Sequence, residues 1–74
     1  MSRGVVLFHS IHAVLQLEKE LGARGADSEP IPTPRHLSSD CGMALSFAAS
    51  DEELVRSVIS ELGLEVQGIH DLKD

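Results

Sequence analysis

Residues 26–34 read Ala-Asp-Ser-Glu-Pro-Ile-Pro-Thr-Pro, with Pro30, Pro32 and Pro34 at every second position. A proline has no N–H to give to a ladder, so this run cannot lie in the middle of a sheet. It fits an edge strand whose missing donors all point the same way. The neighbouring segments extend this reading. Val5-Val6-Leu7-Phe8 is a continuous apolar run, which suits a central strand. Ser10 is placed to cap a helix running from Ile11 to about Gly22. On that helix Ile11, Val14, Leu15, Leu17 and Leu21 share one broad arc, with His12, Gln16, Lys19 and Glu20 opposite. Gly22 and Gly25 mark its end.

Downstream of the prolines, Pro34 to Gly42 reads as a polar loop or short helical turn. Met43 to Ala49 returns as a strand, with Met43, Leu45 and Phe47 on one face and Ala44, Ser46 and Ala48 on the other. The small face suits close packing beneath helices or a partner sheet. Ser50 and Glu53 have capping-box spacing ahead of a stripe of Leu54, Val55, Val58, Ile59 and Leu62, which Gly63 stops. Leu64 to Ile69 is a last, weaker strand, and Asp71 to Asp74 a frayed tail. The order β-α-β-β-α-β is the ferredoxin-like α+β plan: a four-stranded antiparallel sheet in the order 4-1-3-2 with both helices on one face. Strand 2 is an edge in that order and the two most apolar strands are central, as the prolines require. One domain spans residues 1–74, with an ordered core of about 4–70.

Charge and composition exclude several functions. The chain carries 12 acidic and 6 basic residues, a net −6 that lies entirely in residues 38–74. There is no cluster of Lys and Arg for phosphate backbones, and Phe8 and Phe47, its only aromatics, sit in apolar runs rather than on a stacking surface. Nucleic acid is therefore not an expected partner. No apolar run is long enough to span a membrane, and the N-terminus has no signal-peptide core, so a cytoplasmic location is expected. Cys41 is the only cysteine, so no internal disulfide forms. A chain of 74 residues without such a staple must pack efficiently or dimerise.

Cys41 is the first candidate for chemistry. It follows the polar run Leu37-Ser38-Ser39-Asp40 and precedes Gly42. A thiolate needs exposure and a positive or N–H-rich surrounding, which Arg35, His36 and successive loop N–H groups could supply. Asp40 acts against it, because an adjacent carboxylate disfavours a second negative charge. The competing reading is an inert small hydrophobe at a strand entrance. His9, His12 and His36 with Cys41 are enough ligands for a tetrahedral zinc site, but the spacing is unspecific and no Cys-x-x-Cys is present. Solvent-facing histidines at element ends are the plainer reading, and His70 lies near the tail. Glu18 falls inside the apolar arc. It snorkels at the sheet edge, pairs with Arg35 or another base, or supports a site. Paired carboxylates, a phosphate loop and a nucleophile elbow are all missing. A chain this small with one nucleophile suits a carrier better than an enzyme with its own pocket, and no cofactor is expected.

The run Ile31-Pro32-Thr33-Pro34-Arg35-His36-Leu37-Ser38-Ser39-Asp40-Cys41-Gly42-Met43-Ala44-Leu45 resembles the selenium/sulfur carrier protein-like family, a small bacterial domain of unknown function. Its Pro-Arg-x-Leu-Ser-Ser-x-Cys-Gly pattern carries the likeness. The opening from Phe8 to Lys19 is similar too, and the resemblance extends over roughly residues 4–70. It implies a non-enzymatic carrier in which Cys41 takes sulfur or selenium from a donor protein, as persulfide or perselenide, and passes it to an acceptor protein. Arg35, Ser38, Ser39, Asp40 and Gly42 would then shape the cysteine loop, and His12 and Glu18 would support it from the first helix. Asp40 departs from the small polar residue common there. The Cys-Pro pair of better-known sulfur-relay carriers is also absent, so their mechanism does not transfer. Two other functions remain open: a small metal-binding domain using Cys41 and the histidines, and a dimeric protein-interaction module.

Overall fold

The computed structural model describes residues 2–37 and 42–72. Four strands and two helices follow in the expected order: β1 (Arg3–Phe8), α1 (Ile11–Ala23), β2 (Ser28–Pro32), β3 (Met43–Ala48), α2 (Glu52–Leu62) and β4 (Val66–Leu72). The sheet runs β2-β3-β1-β4 and every neighbouring pair is antiparallel, the ferredoxin-like arrangement. The prolines explain why β2 is an edge. Thr33 N–H donates to the Gly42 carbonyl at 3.0 Å. Backbone groups alternate sides along a strand. Odd-numbered residues of β2 therefore turn towards β3, and the imino nitrogens of Pro30 and Pro32 face the open edge, where no donor is missed. Pro34 lies beyond the strand.

The helices cover one face. Val14, Leu17 and Leu21 of α1 and Val55 and Val58 of α2 close on Val6, Phe8, Leu45 and Phe47 of the two central strands. All nine are fully buried. Gly4 is part of this packing. It stands opposite Phe47 in the β1–β3 register, and a Cβ built on it would overlap the Phe47 ring. A glycine at this position lets the largest core side chain lie flat across the neighbouring strand.

Several local expectations change in the folded chain. Ile11 and Leu15 remain 40% and 51% exposed. At about 100° per residue they lie roughly 80–120° round the helix from Leu21, on a shoulder the narrow core does not reach. Glu18 sits on the same shoulder, half-buried. Ser10 has the extended backbone of an N-cap, but its side chain makes no capping bond. The capping box at Ser50 and Glu53 does not form either. A 3-10 turn, Ala49–Asp51, moves the helix start to Glu52 and makes Asp51 the N-cap. Glu52 and Glu53 still lie in the first turn, where they complement the helix dipole. Gly22 is inside the last turn of α1. The helix closes at Gly25 with φ 81° and an Ala26 N–H to Leu21 carbonyl bond of 2.9 Å. Gly63 stops α2 as expected.

The small face of β3 is not beneath the helices. Leu45 and Phe47 occupy that position, and Ala44 belongs to a second cluster with Val5 and Leu7 on the opposite face. β4 is longer than its alternation suggests. Asp71 and Leu72 are not frayed; they pair with Gly4 and Arg3.

Gly4→Ala should lower stability by about 1–3 kcal/mol, because the added methyl displaces a ring held on every side. Urea unfolding followed by far-UV circular dichroism measures this. A change within a few tenths of a kcal/mol would mean the Phe47 ring is free to move aside.

Candidate functional site

The register fixes where the cysteine loop emerges. Leu7 pairs with Ala44, so the end of β1 and the start of β3 lie side by side at one end of the sheet. β1 leaves that end through His9 and Ser10 into α1, and the β2–β3 connection, residues 33–42, leaves it as well. Val66, the first residue of β4, also pairs there with Phe8. One end of the sheet therefore gathers His9, the first turn of α1 with His12, the connection bearing Arg35, His36 and Gly42, and the approach to β4 through Glu65.

The connection is tied at three described points. The Thr33 to Gly42 bond closes its base, extending the β2–β3 ladder one step past Pro32 and Met43. Leu37 N–H donates to the Pro34 carbonyl at 3.0 Å, which makes Pro34–Leu37 a turn. The Leu37 side chain packs on the sheet face away from the helices, against the cluster of Val5, Leu7 and Ala44 flanked by Ile31 and Leu72. Gly42 has φ 72°, in the left-handed region that a side chain would make costly. Its position after the cysteine thus has a backbone reason.

Cys41, Ser38, Ser39 and Asp40 lie outside the described residues. Of the other expected site residues, Arg35, His36 and Gly42 are exposed on the connection, and His12 is exposed on the first turn of α1. Topology brings these four to the same end. Glu18 is further along α1, and among the described residues it forms no ion pair with Arg35 or any other base. Its half-buried place on the helix shoulder fits the snorkelling reading. His9 is exposed at the end of β1. Among the described residues no three of His, Cys, Asp and Glu come together as a metal site, so His9, His12 and His36 do not form one between them.

Arg35 and three of the four histidines gather at this end of the sheet with Glu65, while Glu52, Glu53 and Glu61 lie on α2 and Asp51 precedes it as N-cap. Two of those acids are engaged, Glu52 with Arg56 at 2.9 Å and Glu61 with Arg24 at 2.6 Å. Arg24 also reaches Glu20 at 3.3 Å, so one guanidinium links the two helices. The first turn of α1 contains no acid, which leaves its free N–H groups as the positive end of the helix at the same end of the sheet. A cavity of about 310 Å³ lined by Ser2, Ala48, Ala49 and Ser50 lies at the other end, where Ala48 pairs with Arg3. Sequence reasoning missed Leu37 as the anchor of the cysteine connection; a lone apolar residue inside a polar loop is the signal that could have identified it.

The family described as "Putative Se/S carrier protein-like" matches residues 3–71. The chain belongs to this family. The match covers every strand, both helices and the whole cysteine connection, apart from the last paired residue of β4. No curated protein and no solved structure matches the chain. No helix among the described residues is long and apolar enough to cross a membrane.

Leu37→Ala should release the connection from the sheet. The expected effects are a loss of about 1–2 kcal/mol for a half-buried leucine and faster hydrogen exchange at the Thr33 amide. Unchanged exchange at Thr33 would show that Leu37 does not anchor the connection.

Proposed function

We propose that this protein carries sulfur or selenium between partner proteins and that the Cys41 thiol is the point of attachment. The observation that supports this most is its membership of the carrier-like family over residues 3–71, with one thiol in the entire chain. In the loading step the Cys41 thiolate attacks the outer sulfur of a donor persulfide. The donor's S–S bond breaks, a new S–S bond forms on Cys41, and the donor leaves as a thiolate with the electron count unchanged. Unloading repeats the exchange, with an acceptor thiolate as the attacking group. Selenium follows the same course as a perselenide.

Two features suit this chemistry. A second cysteine nearby would attack the Cys41 sulfur of the loaded persulfide, closing an internal disulfide and expelling the cargo as hydrosulfide, and the chain has none. Arg35 and the acid-free first turn of α1 favour a thiolate on the connection, and Asp40 beside Cys41 acts against it. The protein acts in this reading as a substrate of other proteins rather than as an enzyme.

Incubation with a cysteine desulfurase and cysteine should add one sulfur atom to the wild-type mass. The addition should be removed by reductant and absent from Cys41→Ser. Intact-protein mass spectrometry reads this directly. An unloaded wild type whose Cys41 is free to alkylation, tested with sulfur and selenium donors alike, overturns the proposal.

A further inference from the structure

We draw no further inference here: the strongest candidate, the shoulder of α1 on which Ile11 and Leu15 stay exposed beside half-buried Glu18, is an unpartnered apolar face and nothing in the structure shows what covers it.

Discussion

Strand β1 is apolar on both faces, whereas this architecture supplies helices to only one. Val6 and Phe8 go under α1 and α2, but Val5 and Leu7 point the other way and are buried as well. An antiparallel sheet of this kind commonly leaves its second face wet. Here that face is closed by side chains from its margins: Ile31 from one edge strand, Leu72 from the other, and Leu37 from the β2–β3 connection. Arg3 adds a polar lid by donating to the Ser46 hydroxyl at 3.0 Å, which satisfies the single buried polar side chain among the described residues. The need to keep water from Val5 and Leu7 is thus a physical reason for the connection leading to the cysteine to fold against the sheet.

The same constraint links stability to the site. Leu37 and Gly42 bracket residues 38–41, one held by apolar contact and the other by a backbone bond and a left-handed turn. In the proposed role the thiol is presented to two different partners in turn. Fixing the base of the connection limits the ordering cost of each encounter.

Much of the architecture was legible in residues 26–34 and 5–8. A run of alternating prolines has one place in a sheet and a continuous apolar run another, and together they leave one strand order. Gly63 was legible as a helix stop for the same kind of local reason. The misreadings arose where tertiary contacts override local pattern. Asp71 looks like tail, yet it pairs with Gly4 because β1 is long enough to hold the extra residues. Ser50 looks like a cap, yet a 3-10 turn after β3 shifts the helix start past it. Ile11 and Leu15 share an arc with Val14, but the thickness of the core decides how wide an arc is used. In the site, the run around Cys41 was visible as a motif of the family to which the chain belongs. The grip of Leu37 on the far face of the sheet was not, because it depends on which face the helices leave bare.

The pairing of Arg3 with Leu72 has a consequence for how the chain acquires its structure. β1 is made first, and its neighbours arrive much later, β3 after the helix and the edge strand, and β4 last of all. Contacts this distant in sequence form slowly, since a large loop must close before either is gained. During synthesis the most apolar segment therefore waits, unpaired on one side, until the final strand emerges. A nascent chain halted before β4 would present Val5-Val6-Leu7-Phe8 beside an open flank, the state most prone to capture by a chaperone or by another copy of itself.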